Sequence, residues 1–301
     1  GIAPPQLIEK VRKKIEAINV DGIPDSSYVS KLLNERKTSL FKQVGSTERP
    51  DVLIERMLEG RVGVIVDGSP FCLSLPYLLI EDFQTAEDYY ISPYRANLVR
   101  MLRVISILFS ILLPAIFVAA QLFHLQIIPL NFLLTIVNGI KEIPFSPSLE
   151  MFFVLLIFEI LNETSVRMPK YVGMALAVVG ALVLGETAVN AGIVSTPAIL
   201  IMALSGISIY AIPELVETTS VLRFVYLIIA GSLGGYGLIV LSCFIVCYLC
   251  VSDNYGVPYV APYSPIILND LQDGLYMNNV IGMTKRPKSL GSKNKTRQKL
   301  K

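Results

Sequence analysis

Two sets of polar residues lie within or beside apolar runs at helical spacing, and both point to the chemistry of charge in a low-dielectric setting. The first is Glu159, Asn162, Glu163 and Arg167. Glu159 to Glu163 and Glu163 to Arg167 are each i,i+4 steps, so on a helix they share a face and the arginine offsets at least one carboxylate. Structural pairing near a membrane interface is one reading of this set, and a place along an ion path is the other. The second set closes a stripe formed by Val172, Leu176, Val179, Val183, Glu186 and Asn190, at steps of four, three, four, three and four. A carboxylate and an amide at the end of such a stripe do not face lipid, because desolvating them without partners is costly. Either Glu186 sits at a membrane surface above an ordinary packed stripe, or several copies surround an axis. In the second case Val179 and Val183 form an apolar constriction, with Glu186 and Asn190 as its polar mouth. Rings of carboxylates favour cations, and apolar constrictions gate by dewetting. A neighbouring row, Gly173, Ala177, Ala181 and Gly185, recurs every four residues and lets another helix approach closely.

Other chemistry finds little support. The single His124 follows an apolar run with no Cys or carboxylate beside it. Cys243, Cys247 and Cys250 lie in an uncharged run and read as small packing residues, with Cys72 elsewhere. Asp67-Gly68 reads as turn chemistry, since no second carboxylate or glycine-rich loop accompanies it. No serine-protease, P-loop, zinc-protease or dinucleotide signature is present. The expectation is a non-enzyme with no catalytic residues, no cofactor, no metal and no nucleic-acid partner.

The elements that must position these residues follow from composition. Hydrophobic residues make up 53% of 301 positions, unevenly distributed. Residues 1–95 mix charged and apolar positions like a soluble α/β domain. Pro5 opens a helical pattern through Ile18, Asp25 or Ser26 caps a second helix, and Pro50 to Glu59 forms a third that stops at Gly60. Arg61 to Val66 and Phe71 to Pro76 then read as a hairpin around Asp67-Gly68. Tyr89, Tyr90 and Tyr94 precede the first long apolar run and fit an interface belt in a chain without Trp. The chain opens at Gly1 without a signal-peptide pattern and is expected to be the C-terminal part of a longer protein.

Residues 96–252 read as an α-helical integral membrane domain. It has about four transmembrane helices plus one re-entrant or interfacial helix, following the small α/β soluble domain. Val104 to Ala120, Tyr171 to Gly185, Ala191 to Pro213 and Phe224 to Val251 are the spans. Leu149 to Leu161, bracketed by Glu150 and Glu159, is the segment set aside as re-entrant or interfacial. The glycines between Gly231 and Gly237 let the last span bend. Arg95, Arg100 and Arg103 stand before the first span, and eight Lys or Arg lie between Lys285 and Lys301. Both termini are therefore expected on the cytoplasmic side, with residues 253–301 a basic segment suited to anionic lipid headgroups.

Five segments taken together resemble a known family. They are EGRVGVIVDGSPF (Glu59 to Phe71), EDFQTAEDYY (Glu81 to Tyr90), FEILNETSVRMP (Phe158 to Pro169), GALVLGETAVNAGIVS (Gly180 to Ser195) and YGVPYVAPYSP (Tyr255 to Pro265). In this order they resemble the A subunit of the spore-germination receptors, the GerA family, including its spoVA-linked member. The resemblance implies a protein of the inner membrane of a bacterial endospore, with both termini on the core side. It further implies a homo-oligomer acting with a permease-like B subunit and a lipoprotein C subunit, conducting monovalent cations out of the core when a nutrient binds. The family commonly carries Gln at the position of Glu186, and its cytoplasmic N-terminal domain is longer than the one here. A non-conducting membrane scaffold and a transporter subunit of the same complex are the rival readings.

Overall fold

The computed structural model describes residues 2–140, 143–169, 173, 180, 183–279 and 282–298. It divides into two compact units, residues 1–102 with 246–301, and residues 103–245.

The first unit is built around a three-stranded antiparallel sheet. Helix α1 (Pro5–Glu16) and helix α2 (Ser26–Leu33) come first, then strand β1 (Gly45–Thr47), helix α3 (Pro50–Glu59), and strands β2 (Val62–Ile65) and β3 (Cys72–Leu75). β3 is central, pairing Gly45 with Ser74 on one side and Val62 with Leu75 on the other. The local signals explain these limits. The Asp25 carboxylate accepts from the Ser27 backbone N–H at 3.0 Å and caps α2. It also accepts from the Ser69 hydroxyl, tying that cap to the hairpin turn. Pro50 starts α3, and Gly60 ends it in the left-handed region at φ 116°, where a side chain would be strained. β1 was not foreseen: three residues at a sheet edge carry no alternation to read.

The C-terminal segment belongs to this unit and is not a separate basic tail, which corrects the division at residue 253. Tyr255 joins the core of Leu7, Val11, Val29, Leu33, Leu73 and Leu75. Val257 and Leu290 pack with Leu78 and Ile80, while Met277 and Met283 pack with Ala96. The buried Asn254 amide donates to the backbone carbonyls of Gln43 and Tyr77, at 2.6 and 2.9 Å. Strands β4 (Asp253–Asn254) and β5 (Val257–Pro258) form a two-residue hairpin whose central Tyr255 and Gly256 both have positive φ, the geometry that suits strand twist. Arg286, expected to face solvent or lipid, is 9% exposed and donates to the Leu58 carbonyl. Polar closure of this kind is invisible to a charge count.

The second unit is helical. It contains most of helix α4 (Pro93–Phe123), then α5 (Leu130–Ile140), α6 (Pro147–Arg167), a π-helical turn at Val183–Thr187, α7 (Thr196–Ile209) and the greater part of α8 (Val216–Val251). Two helical stretches are long and apolar enough to cross a membrane, Pro93–Phe123 and Pro213–Val251. α6 extends beyond the expected 13-residue segment to 21 residues, taking in all four members of the first polar set.

The second long stretch is not one rod. Gly234 breaks α8 at φ 61° and ψ −149°, a conformation open to glycine alone. The Tyr226 hydroxyl lies 3.0 Å from the Ser242 hydroxyl, although the two are 16 residues apart. On a continuous helix that separation would be about 24 Å. α8 therefore reverses at Gly234, and its arms, 216–233 and 235–251, run back against each other with Tyr226 and Ser242 at matched distances from the tip.

Contacts fix the directions of the other helices. At one end of the unit Phe123 packs over Gly234, His124 over Gly235, and Ser148 over Gly231. At that end too the Glu150 carboxylate accepts from the Ser195 backbone N–H at 2.6 Å. From there α6 and α7 run alongside each other, with Phe158 against Gly206 and Tyr210 bonded to Asn162. The first arm of α8 runs opposite to α6. Hence Arg103, where the chain enters this unit, and Ile245, where it leaves, lie at the same end.

Candidate functional site

Arg223 is the centre of the polar chemistry in the second unit. Its side chain is 0% exposed and its guanidinium meets the Glu159 carboxylate at 3.8 Å. The guanidinium also lies 5.5 Å from the centre of the Phe158 ring, within the range of a cation–π contact. None of its three nitrogens has a hydrogen-bond partner among the described residues, and neither does Glu159 Oε1. The other carboxylate oxygen, Oε2, accepts from the Ser220 hydroxyl at 3.1 Å. The anion is thus anchored, whereas the cation is held by one long ion pair and a ring face. Buried charges ordinarily take several hydrogen bonds, so an arrangement this incomplete contributes little to stability.

Arg223 is eight residues from Gly231, roughly 12 Å along the arm, and seven from Val216, roughly 10 Å. The pair therefore stands halfway along the arm, where its polar first half, with Glu217, Thr218, Thr219 and Ser220, gives way to the apolar run that begins at Phe224. The sequence reading stopped short of Arg223, because a single arginine at the edge of the run from Phe224 to Val251 looks like a flank. The signal that could have found it is its i,i+3 relation to Ser220 and the need of Glu159 for a partner.

The other members of the first polar set separate from this pair. Asn162 accepts from the Tyr210 hydroxyl at 2.9 Å. Glu163 and Arg167 form the expected i,i+4 ion pair on an exposed face, with Nε to Oε1 at 2.8 Å. Of the second set, Val172, Leu176 and Val179 lie outside the described residues, as do Ala177 and Ala181 of the small-residue row. Glu186 and Asn190 are exposed, Glu186 within the π-helical turn that also holds Val183. Such turns commonly fall at functional positions. Gly185 is exposed with open space where a side chain would begin, and Gly173 is half-buried.

A second feature of this unit is an apolar groove of about 370 Å³ between α4 and the returning arm of α8, with Ile116, Ala120, His124, Leu238 and Ser242 on its walls. Cys243 also lines it. Cys243, Cys247 and Cys250 are exposed free thiols, not the packing residues expected.

In the first unit the recognised segments converge on buried ion pairs. Arg100, 0% exposed, meets Asp88 at 3.1 Å and Asp273 at 3.0 Å, and donates to the Gly274 carbonyl. Glu81 takes Arg61 at 2.8 Å and Arg56 at 3.2 Å. The Tyr89 hydroxyl, expected at a membrane interface, donates to Asp273 at 2.7 Å, and burial pushes it well above the usual phenol value. Tyr90 and Tyr94 are exposed. Burial likewise raises the Glu59 carboxyl, against the pull of Arg61.

The chain belongs to the Bacillus/Clostridium GerA spore germination protein family, whose pattern matches residues 1–289. It is 37% identical over 300 residues to spore germination protein KA of Bacillus subtilis, covering 99% of this chain and 55% of that protein. It is 34% identical to the uncharacterized membrane protein YfkQ of the same organism, over 95% of this chain and 56% of that protein. Spore germination protein GerQA of Bacillus cereus is 32% identical, over 95% of this chain and 58% of its own length. The chain thus spans a little over half the length of these relatives. No solved structure matches it significantly.

Proposed function

We propose that this chain is the membrane portion of an A subunit of a spore-germination receptor, with no catalytic role of its own. In this reading it oligomerises in the inner membrane of the endospore and conducts monovalent cations out of the core when a nutrient is sensed. A permease-like subunit and a lipoprotein subunit complete the receptor. The observation that carries the reading is the Glu159–Arg223 pair, largely buried and incompletely hydrogen-bonded at the head of an apolar run in a helical unit of this family: ionisable groups inside such helices belong to ion or substrate pathways far more often than to packing. The Lys and Arg distribution favours both termini on the core side, which requires an even number of crossings: four with Leu149 to Leu161 set aside, or six when α6 and both arms of α8 each count as a pass. The stripe ending in Glu186 and Asn190 remains the proposed pore lining, and the exposure of those two residues supports it. The broken helix α8 favours the transporter reading as the rival, since discontinuous helices are common there.

The test is potassium release from spores lacking the native gene and carrying either the full-length protein or none, after nutrient addition. Release that returns with the protein supports a conducting subunit. Germination that returns with potassium release carried unchanged by another protein would assign it to a scaffold.

A further inference from the structure

We infer that Glu159 and Ser220 form a binding site for a monovalent alkali cation, and that the Arg223 guanidinium occupies it as a tethered cation in the resting state. The inference rests on the conducting reading above only for its purpose; the site itself stands on geometry.

The carboxylate is prepared on one side, with Oε2 fixed by the Ser220 hydroxyl at 3.1 Å, and bare on the other, where Oε1 has no hydrogen bond among the described residues. Arg223 faces that bare side at 3.8 Å, too far for a hydrogen bond and without the bidentate fit that arginine and carboxylate normally adopt. It neutralises charge without closing the coordination. Carboxylate and hydroxyl oxygens are the ligands that hard cations take. Ser220 and Arg223 stand one turn apart on the same arm of α8, so it is a swing of the long Arg223 side chain, with the arm in place, that withdraws the guanidinium while Ser220 stays on the carboxylate. The guanidinium then leaves a largely buried anion that must be compensated, and a free cation is the compensating group.

The experiment uses the full-length protein in detergent and in potassium-loaded liposomes, comparing KCl with choline chloride at equal ionic strength. Wild type should show the same thermal midpoint in both salts. Arg223→Gln should be about 2–4 °C more stable in KCl than in choline chloride, and Glu159→Gln/Arg223→Gln should lose that difference. Arg223→Lys keeps a tethered charge and should behave as wild type. If Arg223→Gln does not accumulate, Arg223→Ser carries the same comparison with more room for the ion. In liposomes Arg223→Gln should leak potassium without nutrient. Equal midpoints in both salts for Arg223→Gln and Arg223→Ser, or potassium stabilisation that persists in the double variant, overturns the site. Potassium-dependent stabilisation with no flux in any variant would keep the site and overturn the conducting reading instead.

Discussion

Replacing Arg100 by Met tests whether buried ion pairs hold the C-terminal segment in the first unit. The guanidinium is fully buried, meets Asp88 and Asp273, donates to the Gly274 carbonyl and stands 5.6 Å from the Tyr89 ring centre. Methionine keeps most of the length and removes every one of these bonds. Breaking a buried pair by removing one partner costs about 3–5 kcal/mol, since it strands the other charge. Asp273 is 17% exposed and recovers some hydration, so the low end, about 3 kcal/mol, is expected. The loss should appear locally as opening of the chain around Met277, whose backbone N–H donates to the Asn97 side chain at 2.6 Å. At about 1.4 kcal/mol per factor of ten, amide exchange at Met277 should quicken roughly 100-fold in Arg100→Met, measured by hydrogen exchange on the solubilised protein. Arg100→Lys should fall between the two. An acceleration below about 5-fold would refute the claim that this arginine anchors the segment.

Two further outcomes follow from named positions. With the native thiols removed, Tyr226→Cys paired with Ser242→Cys should be bridged within one chain by a bis-maleimide much shorter than the about 24 Å of a continuous helix; no cross-link would mean that α8 does not reverse. Burial raises the Glu59 carboxyl above its ordinary value of 4.5, so the unfolded chain ionises first as pH rises. The stability this group contributes is therefore full below pH 4.5 and lost as pH rises through the higher folded value. Glu59→Gln should gain on wild type in thermal midpoint between acid and neutral pH, and a difference independent of pH would contradict that sign.

Much of the first unit was legible, because its limits are set by local chemistry. Pro50 and Gly60 bound α3, Asp25 caps α2, and the Asp67-Gly68 hairpin stands where its turn residues place it. The path of the C-terminal segment was not legible. It depends on Asn254, Tyr255, Asp273 and Arg286 finding partners 173 to 228 residues away, and such pairing leaves no local pattern. In the second unit the apolar runs were visible, but hydropathy does not distinguish a bend from a reversal at Gly234. It also assigned α6 too little length, because Glu150 and Glu159 read as ends. Both glutamates instead turn to other parts of the unit, Glu150 to the Ser195 backbone and Glu159 to Ser220 on one oxygen, with Arg223 at 3.8 Å from the other.

The conducting role is tested most directly by placing single cysteines at Val179, Val183, Glu186 and Asn190 of the full-length protein, in a background without native thiols. Nutrient-triggered potassium release is then measured before and after a water-soluble thiol reagent. The account predicts that modification at these positions blocks the flux or locks it open, while cysteines at Ala177 and Ala181 are without effect. Assembled protein that releases potassium normally after modification at all four positions would contradict a pore lined by this helix face.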